Sequence, residues 1–300
     1  MKICFASIVG RPNVGKSSLL NAIVGFNVAI VTDTAQTTRD QITGIYTEGD
    51  EKDGLQIIFT DTPGIHKPLN KLGEVLNKNA FESLKNIDVV LFLSPADEVI
   101  GKGDEMIIDK IKDFPNKIAV ISKIDKIKSK PELLLQKIDS LKELGFDNII
   151  STDVKDDKSV YALIDEIAKF SQEGQPQYDL DYVTDKTVRF LAKEIIRESA
   201  INALYDELPH SIAVEVNEFN ELEQEDGSLR YAIDAIIYVK KASQKGMVIG
   251  KGAEKIKQIG KTARYKITKE LNAPTTLTLK VKVAKKWIND PDALNKFGYN

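Results

Sequence analysis

Residues 10–17 read Gly10-Arg11-Pro12-Asn13-Val14-Gly15-Lys16-Ser17, the pattern G-x-x-x-x-G-K-S. Residue types at this spacing suit anion binding. Two glycines let the backbone curl until successive N–H groups point inward, and a following helix adds its positive N-terminal end. Lys16 reaches the outer phosphates as a point charge, and the Ser17 hydroxyl, followed by Ser18, is placed to ligate Mg²⁺. Further along, Asp61-Thr62-Pro63-Gly64 follows the short apolar run at 57–60. A carboxylate at a strand end facing a phosphate loop holds Mg²⁺ through water, and Gly64 allows its backbone N–H to approach a γ-phosphate. Standing alone, that second string would read as a Pro-Gly turn.

These motifs need a scaffold, and the chain supplies one. An apolar run at 3–9 precedes the glycine loop and a helical pattern at 18–24 follows it. Buried-strand runs recur at 57–60, 88–93, 117–122 and 148–151, separated by helical patterns at 71–86, 103–113, 131–144 and 158–170. Near-continuous apolar strands alternating with helices predict an α/β domain with a mostly parallel sheet and helices on both faces. Ligands of such sheets bind beyond the strands' C-terminal ends, where each motif falls.

Three hundred residues with 42% apolar content suggest two domains with ordinary cores. No apolar run approaches a membrane span, and no signal-peptide pattern opens the chain. The single cysteine, Cys4, lies in the first strand, where it reads as a small buried hydrophobe and fits a reducing cytosol. Charge is divided unevenly. Residues 1–170 carry 22 basic and 26 acidic side chains, residues 171–239 carry 5 and 15, and residues 240–286 carry 14 and 2. An acidic chain with one basic segment suggests a polyanion bound locally.

At the end of the strand at 117–122 stands Ser122-Lys123-Ile124-Asp125. This string resembles the Asn-Lys-x-Asp base motif of translation-factor-like GTPases. The resemblance implies that Asp125 accepts from guanine N1 and N2, selecting GTP over ATP, and that the Lys123 stem lies along the base. Ser122 departs from the motif, offering one hydroxyl donor where a carboxamide has donors and an acceptor, so weaker GTP binding is expected. Ser151-Thr152 stands where these GTPases carry a backbone N–H to guanine O6, which Thr152 would supply. The string A-Q-T-T-R-D at 35–40 places Thr38 where a switch threonine completes the Mg²⁺ shell and senses the γ-phosphate. Where many small GTPases have a water-positioning Gln after the switch glycine, this chain has Ile65, followed by His66. Slow intrinsic turnover is expected, with Lys16, Thr38 and Gly64 serving catalysis.

Residues 171–183, polar and without periodicity, read as a linker between domains at 1–170 and 184–300. The second domain opens with a helical run at 185–204. Strands at 211–217 and 229–239 flank an acidic turn, and a glycine loop, a helix at 253–270 and a strand at 275–283 follow. The loop Ile249-Gly250-Lys251-Gly252-Ala253 resembles the G-x-x-G clamp of the KH RNA-binding module, with Ala253 replacing its last glycine. Lys255, Lys257, Lys261, Arg264 and Lys266 follow on the next helix, where they steer phosphates. The order of elements fits an α+β type II KH domain.

Taken together, Q-T-T-R-D, D-T-P-G-I-H and a KH loop entered through L-P-H-S-I-A-V resemble the bacterial Era family over nearly the full length. The resemblance implies a GTP- and Mg²⁺-dependent enzyme returning GDP. It implies action in 30S subunit assembly, with the KH domain on the 3′ end region of 16S ribosomal RNA. A cytoplasmic monomer with peripheral contact to the inner membrane face is the expected form. Two other classes fit single features: an RNA adaptor holding nucleotide without turnover (Ser122, Ile65), and a protein-directed signalling GTPase whose basic segment is a solvated face.

Overall fold

A computed structural model describes all residues except Asp33, Ala35, Gln36, Asp206, Glu207 and Asn300. The chain divides into two compact units, the first running chiefly to Asp185 and the second from Lys186.

In the first unit β1 (Lys2–Val9) leads through the glycine loop into α1 (Lys16–Val24). Then follow β2 (Ile42–Glu48), β3 (Leu55–Asp61), α2 (Lys71–Glu82), β4 (Val89–Pro95), α3 (Lys102–Ile111), β5 (Lys117–Ser122), α4 (Pro131–Glu143), β6 (Asn148–Ser151), α5 (Asp157–Ala168) and the short β7 (Gln172–Glu173). The sheet order is β2-β3-β1-β4-β5-β6, with β2 antiparallel to β3, β7 antiparallel to β1 and the other pairs parallel. Every residue of β4 is buried, as a central parallel strand covered on both faces requires. Val90 and Phe92 face the side packed by Ala80, Ile107, Ile111 and Leu141 of α2, α3 and α4. Strand alternation turns Leu91 and Leu93 to the other face. On that face Cys4 of β1 lies against Ile167 of α5, its Sγ 3.8 Å from the Ile167 carbonyl. Burial pushes the Cys4 thiol up to about 12, so it is an inert core residue. Strand order reverses around β1, which pairs with β3 on one side and β4 on the other, so the glycine loop emerges at a topological switch point.

Residues 171–183, expected to link the domains, are held along the first unit. Gln56 Oε1 accepts from the Gln177 and Tyr178 amides at 2.8 and 3.2 Å, and its Nε2 donates to the Tyr178 carbonyl at 2.9 Å. The Ile45 amide donates to the Val183 carbonyl at 2.9 Å. A buried glutamine and an open strand edge satisfy this backbone, so it needs no periodicity of its own.

The second unit contains α6 (Val188–Ala203), β8 (Ala213–Glu223), β9 (Leu229–Val239), α7 (Ala242–Ile249), α8 (Glu254–Glu270), β10 (Thr275–Val283) and α9 (Pro291–Lys296). Its sheet order is β10-β9-β8, β8–β9 antiparallel and β9–β10 parallel, with α7 and α8 forming the crossover. The core joins Ile196 and Ala200 of α6 to Ile259, Ala263 and Ile267 of α8 over Val214, Ile237 and Val281. Helix α7 was hidden in the sequence by Gly246. Gln244 starts it by accepting from the Lys240 and Lys241 amides at 3.0 and 3.1 Å. Trp287 closes the C-terminal end, donating to the Ser211 carbonyl at 3.1 Å and meeting Phe297 edge-on at 5.4 Å.

Candidate functional site

Lys16 begins α1 and is buried. Its ammonium curls back over the loop, donating to the carbonyls of Gly10 at 3.1 Å and Arg11 at 2.9 Å. Burial lowers its pKa to about 8, with the nearby Asp61 charge pulling the other way. Asp61 ends β3 fully buried, and burial raises its carboxyl to about 6 against the pull of Lys16 and Ser17. Ser17 donates to Asp61 Oδ2 at 2.6 Å and lies 2.9 Å from the Thr38 hydroxyl. Ser17 has one proton and spends it on the carboxylate, so Thr38 donates to Ser17. Asp61 Oδ1 is buried with no hydrogen-bond partner. Two hydroxyls and a carboxylate with a vacant oxygen are hard donors, the set a Mg²⁺ ion takes beside phosphates. Among the described residues no group of three or more His, Cys, Asp or Glu gathers to hold a metal.

The D-T-P-G turn packs directly on the glycine loop. A Cβ on Gly64 would stand 2.6 Å from the Pro12 nitrogen, so glycine is required there. Thr62 donates to the Ile8 carbonyl at 2.8 Å, and Pro63 is buried, so both brace the turn. The Ile65 amide donates to the Gly10 carbonyl at 3.3 Å, and its side chain is fully buried in the core with Val9 and Phe92. Ile65 therefore faces away from any nucleophile. His66 Nδ1 lies 2.9 Å from the Gly64 carbonyl, and Asn77 Nδ2 donates to the His66 carbonyl at 2.5 Å. Arg11 turns outward, donating to the buried Asp104 and to Glu98, each at 2.8 Å. It offers the loop its backbone, not its charge. Ser18 lies on the first turn of α1, half-buried. Ala35 and Gln36 of the switch string lie outside the described residues.

The base motif is tied to the same loop. Ser122 donates to the Val14 carbonyl at 2.7 Å, and Lys123 donates to the Asn13 carbonyl at 2.6 Å from a left-handed backbone position (φ 57°). Ile124 opens a short 3₁₀ turn that leaves Asp125 exposed beyond the end of β5. Ser151 ends β6 half-buried. The Thr152 amide, expected to face a base oxygen, instead donates to the Ile121 carbonyl at 2.8 Å. It extends the β5–β6 pairing by one bond, which local spacing does not reveal.

In the second unit the loop after α7 has three positive-φ residues: Gly250 at 75°, Gly252 at 58° and Ala253 at 61°. A Cβ at Gly250 would lie 2.8 Å from Lys255 Cβ and 3.0 Å from its nitrogen, so this glycine is demanded by close approach. Ala253, expected to adopt a helix-start conformation, is left-handed, which costs about 1–2 kcal/mol. A groove of about 360 Å³ runs beside the loop, floored by Ile256, Leu277 and Leu279 and rimmed by Lys257, Lys261 and Arg264. These three cations and Lys251 are exposed and make no ion pair among the described residues. Other expected contacts are used elsewhere. Lys266 pairs with Glu198 at 2.9 Å, Lys255 donates to the Ala203 carbonyl at 3.2 Å, and Ile249 packs against the core.

A family model described as 50S ribosome-binding GTPase matches residues 5–126, and one described as KH domain matches residues 207–288. The curated GTPase Era of Mycoplasmopsis agalactiae is 60% identical over 300 residues, covering 100% of both chains. The chain belongs to the GTPase Era family. The crystal structure of an Aquifex aeolicus Era variant bound to GDP·AlF4⁻ superposes with a TM-score of 0.92 at 36% identity, covering 100% of this chain and 99% of that one. An Era structure in complex with MgGDPNP and nucleotides 1506–1542 of 16S ribosomal RNA gives 0.91 at 36% identity, with the same coverage.

Membership in the Era family decides between the classes the sequence left open. The first unit is a P-loop GTPase domain, the second carries a KH domain, and the chain hydrolyses GTP. Among the described residues no helix is long and apolar enough to cross a membrane.

Proposed function

We propose that this chain couples GTP hydrolysis in residues 1–170 to RNA binding in residues 184–300, joined through 171–183, during assembly of the small ribosomal subunit. The observation that carries the catalytic half is the hydrogen-bonded chain Thr38–Ser17–Asp61 beside the buried Lys16 ammonium, with the second Asp61 oxygen left unpartnered. The loop amides of 10–17 and the Lys16 ammonium hold the β- and γ-phosphates, and Gly64 presents its N–H to the γ-phosphate. Ser17, Thr38 and Asp61 would hold Mg²⁺, which would supply positive charge to offset that of the phosphates. Thr38 leaves its bond to Ser17 as it engages the nucleotide, which makes the segment around it a switch. Asp125 reads the guanine edge, while Ser122 and Lys123 lock the base motif to the phosphate loop. With Ile65 in the core no side chain at that position orients water, so unaided turnover is slow.

The RNA half rests on the positive-φ loop 250–253 beside a groove with an apolar floor and a basic rim. Backbone approach at Gly250 and Gly252 suits phosphates, and the floor suits bases. The bound segment is the 3′ region of 16S ribosomal RNA, the RNA held in the related Era complex. The protein acts as a cytoplasmic monomer that touches the inner membrane face peripherally through its basic surface. A paired assay tests the reading. GTP, and not ATP, should compete for the nucleotide site, and an RNA of nucleotides 1506–1542 should bind the same preparation. Equal competition by ATP, or no RNA binding at low salt, contradicts it.

A further inference from the structure

Tyr205 stands just beyond the end of α6 with 70% of its surface exposed. The extended Leu204 turns the chain out of the helix, so the ring is not packed on the core. Lys255 supports one face of it, with its ammonium 5.1 Å from the ring centroid. The same ammonium is anchored on the Ala203 carbonyl at 3.2 Å, the last residue of α6. The root of Lys255 lies against Gly250. One lysine side chain thus connects the clamp loop to a largely exposed aromatic ring.

We propose that Tyr205 is a base-stacking platform at the edge of the clamp, taking an unpaired nucleobase of single-stranded RNA adjacent to the nucleotides whose phosphates Gly250 and Gly252 approach. The inference rests on the RNA-binding reading above. Every base has a π-face, and an aromatic ring takes it without reading sequence. A cation held under the ring orients it, and two side-chain torsions make it cheap to immobilise. One of the three Lys255 donors is anchored on the Ala203 carbonyl, which holds its ammonium under the ring.

The test uses the full chain and RNA of nucleotides 1506–1542 of 16S ribosomal RNA. Tyr205→Ala should weaken binding by about 5- to 150-fold, the range for one stacked base. The slope of log affinity against log salt should stay unchanged, because no phosphate contact is lost. Tyr205→Phe should bind like the unmodified chain, and Tyr161→Ala, removing an exposed tyrosine of the first unit, should have no effect. An abasic nucleotide at one position should reproduce the loss and add nothing in the Tyr205→Ala background. Undiminished affinity in Tyr205→Ala, or a slope lowered by one contact, overturns the proposal. RNA binding abolished by Gly252→Asp but indifferent to Tyr205→Ala overturns only the stacking. Absence of binding by the unmodified chain overturns the RNA reading on which it rests.

Discussion

Ser122 donates its hydroxyl to the Val14 carbonyl at 2.7 Å, fastening the end of β5 to the phosphate loop. A serine where the base motif ordinarily has asparagine reads from sequence as a lost contact to the base. In the fold it holds the loop that cradles the phosphates. Beside it Lys123 makes the parallel tie to Asn13.

Ser122→Ala should therefore weaken GTP and GDP alike, by about 0.5–1.5 kcal/mol or two- to thirteen-fold, the net worth of one hydrogen bond. Ser122→Thr should retain affinity. Asp125→Asn should instead shift preference from guanosine towards xanthosine nucleotides with little loss of loop order. Isothermal titration with GDP and xanthosine diphosphate separates the two effects. Equal losses for both bases in Asp125→Asn contradict the assignment.

Nucleotide affinity should depend on pH through Lys16 and Asp61. Lys16 in the empty site titrates at about 8, lowered by burial, and phosphate favours its charged form. Affinity should fall up to tenfold per pH unit above that value. Asp61 titrates at about 6, raised by burial, and Mg²⁺ favours its ionised form, so Mg²⁺-dependent affinity should fall as pH drops below about 6. Stability of the nucleotide-free protein carries the opposite sign at Asp61. Its folded pKa lies above the unfolded value, so the stabilisation it gives at low pH is lost as pH rises through about 6. Thermal unfolding at pH 5 and pH 7, without nucleotide, checks the second statement.

Much of this organisation was legible in the sequence because it is local. The glycine loop, the D-T-P-G turn and the base motif each follow an apolar strand run, and strand ends of a parallel sheet share one edge. What was not legible depends on partners far along the chain. The amide of Thr152 goes to Ile121, and residues 171–183 are held by Gln56 and by β2, neither visible in local composition. Helix α7 was masked by Gly246, although Gln244 carries its start signal by accepting from the Lys240 and Lys241 amides. The anchors that fix where two of the basic side chains lie are also far along the chain: Lys255 reaches the Ala203 carbonyl at the end of α6 and Lys266 pairs with Glu198.

Ala253→Gly should stabilise the second unit. Relief of a left-handed alanine is worth about 1–2 kcal/mol, offset by roughly 0.5–1 kcal/mol of extra unfolded-chain entropy. A net gain of up to about 1.5 kcal/mol, seen in urea unfolding of the full chain, should leave RNA affinity intact. A loss of stability would mean that the alanine methyl makes contacts outweighing its strain.

Gly252→Asp isolates the clamp, because a side chain there meets nothing within 4 Å and aspartate tolerates the left-handed backbone. RNA binding should be lost by repulsion of phosphates, with GTP affinity unchanged and stability lowered by no more than the about 1–2 kcal/mol of a left-handed side chain. Lys257→Ala or Lys261→Ala should only soften binding and lower the salt slope by about 0.7, one contact on a single strand. Filter binding across a salt series reads both. RNA affinity retained in Gly252→Asp would place the RNA elsewhere.

Single-turnover hydrolysis of GTP, with and without RNA of nucleotides 1506–1542, tests the coupling most directly. Phosphate release should require Mg²⁺, vanish in Lys16→Ala, run slowly for the protein alone and rise when the RNA is added. The rise should be absent in Gly252→Asp while its unaided rate is kept. Fast hydrolysis indifferent to RNA, or an RNA-stimulated rate that survives Gly252→Asp, would contradict the account.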